Sequence, residues 1–207
     1  MKNLLFSFCL IATAAFGQYK LEPAGAPPSE LAPAMRDALQ KDGAKIVGPN
    51  GVVCEIWLRA KAPAAAANGE QNTSFTDIGQ GTFLGAIRFT GKGSDRRGQT
   101  IPAGVYTLRL SFYPVDGAHQ GVAPTRDFAL MTPAAADQDL NAAPKFEELV
   151  KMSTKASGTA HPAILSVWKG DAPQSAPSLK QDGEDWVLNT NMGDVPVSII
   201  VVGVYAG

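Results

Sequence analysis

The sequence predicts a mainly β fold: an antiparallel β-sandwich, immunoglobulin-like or jelly-roll-like, with two peripheral helices. Three observations predict it. About eight short runs alternate apolar and polar residues or are dense in β-branched and aromatic ones, with turn residues between them. Strands and helices do not alternate regularly, so the βαβ rhythm of a parallel sheet is missing. Only two stretches repeat apolar residues at helical spacing.

Taken in chain order, residues 1–17 have the parts of a cleavable signal peptide. Lys2 supplies the positive charge, residues 4–16 are almost wholly apolar, and Ala15 and Gly17 place small residues before a cut at Gln18. That apolar run is shorter than the roughly 20 residues of a membrane-spanning helix. Residues 18–28, rich in Pro, Ala and Gly, read as an extended lead-in to a single domain over 29–207.

The first helix is expected over 29–41, with Leu31, Met35, Ala38 and Leu39 on one face, Ser29 as cap and Gly43 beyond its end. A strand follows over 52–59: Val52, Cys54, Ile56 and Leu58 face the core, and Val53, Glu55, Trp57 and Arg59 face away. Gly48-Pro49-Asn50-Gly51 makes it half of a hairpin with Ile46-Val47. Residues 60–73 read as a low-complexity loop. Residues 82–90 form a strand with Phe83, Ile87 and Phe89 inward and Arg88 outward. The clearest strand is 105–113, with Tyr106, Leu108, Leu110 and Phe112 opposite Thr107, Arg109, Ser111 and Tyr113. A strand over 126–131 comes next, then a helix over 141–157 with Phe146, Leu149, Val150 and Ser153 on its stripe and Gly158 after it. Strands at 163–168, 185–189 and 195–205 end the chain. The last is apolar on both faces, as in a covered central strand.

Without the leader, 190 residues remain, carrying 17 basic and 19 acidic side chains. So even a balance gives no sequence-wide attraction to nucleic acid or to an anionic membrane surface. Cys54 is the single cysteine left, so no internal disulfide forms, and its apolar neighbours mark it as an inert core thiol.

No nucleophile elbow, zinc-protease helix, phosphate loop or dinucleotide fingerprint is present. Two constellations are candidates for binding. His119, in a loop with Asp116 and followed by Arg126 and Asp127, would pair with His161, in a second glycine-containing loop, to hold a divalent metal or an anion. The competing account has both aspartates capping turns, Arg126 pairing a carboxylate and the imidazoles solvated. The second constellation is the polar sheet face, where Trp57, Arg88, Arg109 and Tyr113 would offer a ring platform and fork donors to a carbohydrate or peptide. Against it stands a face covered by the helices, with Trp57 packed beneath one of them.

Four segments together resemble a family of uncharacterised exported bacterial proteins: Cys54-Glu55-Ile56-Trp57-Leu58-Arg59, the run 97–109 with its Pro102-Ala103-Gly104-Val105-Tyr106 turn and strand, the run 121–128, and Lys155-Ala156-Ser157-Gly158-Thr159-Ala160-His161-Pro162. The resemblance covers most of the chain and implies export and a β-rich fold, with no chemistry attached. The family pattern Asp-Gly-Asn-His departs here to Asp116-Gly117-Ala118-His119.

The expectation is therefore a non-enzymatic protein in the periplasm or outside the cell, with no required cofactor, binding a ligand or a protein partner. The alternative is a metal-binding protein or metal-dependent hydrolase built on the loop histidines and carboxylates.

Overall fold

The computed structural model describes residues 19–115 and 125–205, so the expected signal peptide lies outside the described residues. Strands run in the order β1 (Lys20–Pro23), β2 (Ala44–Gly48), β3 (Gly51–Leu58), β4 (Phe83–Phe89), β5 (Gly93–Ser94), β6 (Thr100–Ile101), β7 (Gly104–Phe112), β8 (Asp127–Pro133), β9 (Ile164–Lys169), β10 (Ser178–Asp182), β11 (Asp185–Met192) and β12 (Val195–Val202). Helix α1 (Pro33–Asp37) precedes β2, and α2 (Phe146–Ser157) lies between β8 and β9. Ten strands form one sheet in the order β1-β2-β3-β4-β7-β8-β9-β12-β11-β10, all neighbours antiparallel, and β5 pairs β6 as a separate ribbon. The expected mainly β, antiparallel class with two helices is what the chain adopts.

The sheet cannot be flat. Ile46 and Cys54 share one buried cluster with Leu188 and Ile199, yet β2 and β11 stand seven strands apart in the sheet order. At about 4.8 Å per strand that is roughly 34 Å on a flat sheet. One cluster spanning both ends requires the sheet to curl until it is nearly a barrel. Three bulges help it bend. Val53 is the extra residue where Ile46 pairs Cys54 but Val47 pairs Val52. Leu84 is extra between the Phe83–Arg109 and Gly85–Leu108 pairs, and Val201 between Trp186–Val202 and Val187–Ile200.

These bulges also correct the expected parity. Phe83 packs on the outer face, with Trp57 and Met35, while Leu84 takes the core position. Val53 turns toward the core and Val52 is exposed. Elsewhere alternation holds: Cys54, Ile56 and Leu58 are inside with Tyr106, Leu108, Leu110 and Phe112. The apolar strand β12 does lie inside the sheet, between β9 and β11.

Both helices are shorter than the periodicity predicts, and proline is the reason. Pro33 sits at the first turn of α1 and disfavours helical backbone at Ala32, so the expected start at Ser29 is lost. Leu31, Met35 and Leu39 are still buried against Trp57. Pro144 acts likewise before α2, and residues 139–142 turn aside because their carbonyls are bound elsewhere, as described below. Gly158 closes α2 in the left-handed conformation at φ 67°. The loop from β3 to β4 is not merely spacer: Phe75 and Ile78 enter the core cluster.

Cys54 is the expected core thiol, and burial with the adjacent Glu55 charge pushes its pKa up to about 12 from an ordinary 9.0. Because the folded thiol holds its proton while the unfolded one releases it, stability is intact below pH 9 and falls as pH rises from there toward about 12. By pH 10.5 the loss from this group is about 2 kcal/mol, at 1.36 kcal/mol per pH unit. Urea unfolding across pH 8–10.5 checks this. The stability of Cys54→Ala falls less steeply over that interval than the parent's, and parallel slopes would remove the thiol as the cause.

Candidate ligand-binding cleft

Near closure leaves a seam between β1 and β10. At one end the edges meet: Tyr19, just before β1, lies with its ring centroid 5.2 Å from that of Trp186. At the other end they part. Pro23 ends β1 and Pro177 precedes β10, and both line the opening. Neither has a backbone N–H, so the edges cannot pair there by the usual ladder.

The result is a cleft of about 560 Å³. Its apolar wall comes from Leu21, Ile56, Leu58 and Leu188, which the sheet turns inward. Its polar wall is pinned in place. The Asn191 side chain accepts from the Gln174 N–H (2.8 Å) and donates to the Gln174 carbonyl (2.7 Å), in the manner of a paired strand. The Gln40 amide donates to the Asn191 carbonyl at 2.7 Å. Asp42 accepts the Gly25 N–H at 2.6 Å through one oxygen, and Glu22 pairs Lys45 at 3.0 Å. Thr190 is only 6 % exposed and lines the cleft, and its hydroxyl has no hydrogen-bond partner among the described residues. A volume of this size with an apolar wall and a few fixed polar groups is the usual form of a small-molecule site.

The described residues among those singled out from the sequence lie elsewhere. Trp57 is fully buried under α1, its indole N–H donates to the Gly25 carbonyl at 2.7 Å, and Arg88 lies 5.4 Å over its ring. Arg88 also pairs Glu55, and that hydrogen bond raises the Arg88 pKa. A Cβ at Gly43 would come 2.5 Å from the Trp57 indole nitrogen, so glycine there is what lets the chain cross over the ring. Arg109 is fully buried as well, and it does not snorkel. Its Nε and one Nη grip Asp137 through both carboxylate oxygens (2.7 and 2.8 Å). The remaining donors go to the carbonyls of Gly81, Asp139 and Ala142. The outer face is therefore covered at both positions, and neither residue offers anything to a carbohydrate or peptide.

Asp127 is buried and fully engaged: Oδ2 accepts from the Ser74 N–H (2.6 Å) and hydroxyl (3.0 Å), and Oδ1 accepts from the Phe75 N–H (3.0 Å). Arg126 clamps the same loop through the Gln71 carbonyl and Glu70, and also binds the Tyr113 carbonyl. His161 is exposed, and its backbone, rather than its ring, joins the turn formed by Ser157 and Thr159. Asp116 and His119 lie outside the described residues. Among the described residues no three His, Cys, Asp or Glu side chains are grouped to hold a metal ion.

Two of the segments that carry the resemblance meet in space. Gln99 donates to the Pro162 carbonyl at 3.0 Å and accepts from the Thr159 hydroxyl at 2.5 Å, while Asp95 accepts the N–H groups of Arg97, Gln99 and Ile164. These are ties between loops and use no ligand.

No protein-family model, curated protein or solved structure matches the chain. The cleft was not foreseen from the sequence. Its one local signal was Pro23 and Pro177 beside otherwise strand-forming runs.

Proposed function

We propose that this chain is a non-catalytic binding protein, exported from the cell by its leader, that takes a small molecule into the cleft between β1 and β10. The observation that carries the reading is the cleft itself: about 560 Å³, with an apolar wall and a few polar groups facing it, among them the side chain of the largely buried Thr190. No described nucleophile and base are paired at the cleft, where the polar groups are amides, hydroxyls and two carboxylates. Helices do not anchor the described residues in a bilayer, as none is long and apolar enough to cross one.

The test is a titration with N-phenyl-1-naphthylamine, a neutral apolar fluorophore. The parent gives a saturable, one-site rise in emission. Ala176 is exposed and lines the cleft, so Ala176→Trp fills the cleft without disturbing the core and weakens binding by about tenfold or more, equivalent to about 1.4 kcal/mol. A parent that shows no saturable signal, or a variant that binds as the parent does, overturns the reading.

A further inference from the structure

We infer that the cleft selects amphiphiles with a protonated amine head and a short apolar tail, and rejects carboxylates of the same length. This rests on the cleft being a binding site and goes on to say what chemistry enters it.

The charge around the opening is one-sided. Glu22 and Asp42 line the cleft, and among the described residues no Lys, Arg or His does. Glu22 is partly neutralised by Lys45 at 3.0 Å. Asp42 has no salt bridge among the described residues, and only one of its oxygens is used, by the Gly25 N–H. Its second oxygen is left to accept from a ligand. Both carboxylates are exposed at the rim, so an anionic head placed there would face like charge whose repulsion is strongest at low ionic strength. An ammonium head would meet Asp42 and find further acceptors in the Thr190 hydroxyl and the Gln40 side-chain carbonyl, which line the same space.

The rest of the cleft specifies the other half of the ligand. Leu21, Ile56, Leu58 and Leu188 supply a wall for a hydrocarbon chain. The volume of about 560 Å³ accommodates a tail of several carbons and its head together. A peptide added as an extra strand is a poorer occupant, because Pro23 and Pro177 remove donors from both edges at the open end.

The experiment displaces N-phenyl-1-naphthylamine from the protein at pH 7 with octylammonium, 1-octanol or octanoate, each below its aggregation limit. Octylammonium half-displaces the fluorophore at a concentration about tenfold or more below octanoate, with octanol between them. High salt narrows the gap. Asp42→Asn closes most of it and leaves octanol unchanged. Glu22→Gln, on an exposed edge strand, gives a smaller closure and serves if Asp42→Asn does not fold. Octanoate competing as well as octylammonium, with fluorophore binding intact, overturns the charge selection and leaves the binding reading standing. Failure of the fluorophore itself to bind removes both.

Discussion

Replacing Asp137 by alanine lowers the free energy of unfolding by about 3–5 kcal/mol, the cost expected when one partner of a buried ion pair is removed and the other charge stays behind. Arg109 and Asp137 are both buried, and five donors of the guanidinium meet five acceptors. Asp137 also accepts the Thr107 hydroxyl at 2.6 Å. Alanine would strand a full positive charge between β7 and the residues that lead into α2, at a side chain with no exposure to solvent. Arg109→Lys is not a mild change either. A point-charge ammonium has three donors and no fork, so the carbonyls of Gly81, Asp139 and Ala142 lose their shared partner. Arg109→Met is also destabilising, because it leaves the Asp137 carboxylate buried without its counter-charge. Urea unfolding at pH 7 measures all three. A loss below about 1 kcal/mol for Asp137→Ala would mean that the pair is solvated in solution and that the outer face of β7 is open after all.

That pair also shows what sequence can and cannot deliver. Parity along β7 places Arg109 and Thr107 away from the core, and they are away from it. What parity cannot show is the cover. Asp137 arrives from the far end of β8, and it converts an apparently solvent-facing arginine into the most fully bonded side chain described. Trp57 follows the same logic: its direction was legible, while its burial depends on α1 and on Gly43 crossing the ring. Single-residue bulges are a second limit. Each reverses the two faces from that point onward, and nothing in the alternation of residues 82–90 marks Leu84 as the extra one.

The cleft was the least legible feature because its walls come from opposite ends of the chain. Gln40 meets Asn191 across 151 residues. No local pattern encodes that meeting. It exists only because the accumulated twist and bulges of ten strands bring the two edges of the sheet round to face each other. What local sequence did encode is the failure to close, since prolines occupy both edges at one end of the seam. A site written in this way has no motif. It consists of ordinary residues whose positions are set by sheet curvature.

Asp127→Ala is expected to cost about 3 kcal/mol, at the upper end for losing a hydrogen-bonded carboxylate. Asp127 lies at the start of β8 and holds the backbone of Ser74 and Phe75, so it fixes Phe75 in the core. Its loss frees the loop from β3 to β4, and limited proteolysis should then cut within residues 60–82 at a rate the parent does not show. Phe75→Ala, which removes the plug and keeps the anchor, should cost about 3–5 kcal/mol without the same gain in cutting near Ser74. The same variant tests the metal alternative. If Asp127 were a ligand, chelation would lower the melting temperature of the parent, and Asp127→Ala would abolish that response. With both of its oxygens already accepting backbone or hydroxyl protons, the expected result is a parent whose melting temperature is indifferent to chelator and a variant that is destabilised equally with or without it. A chelator-sensitive parent would return Asp127, and with it His161 and the loop carrying His119, to consideration as a metal site.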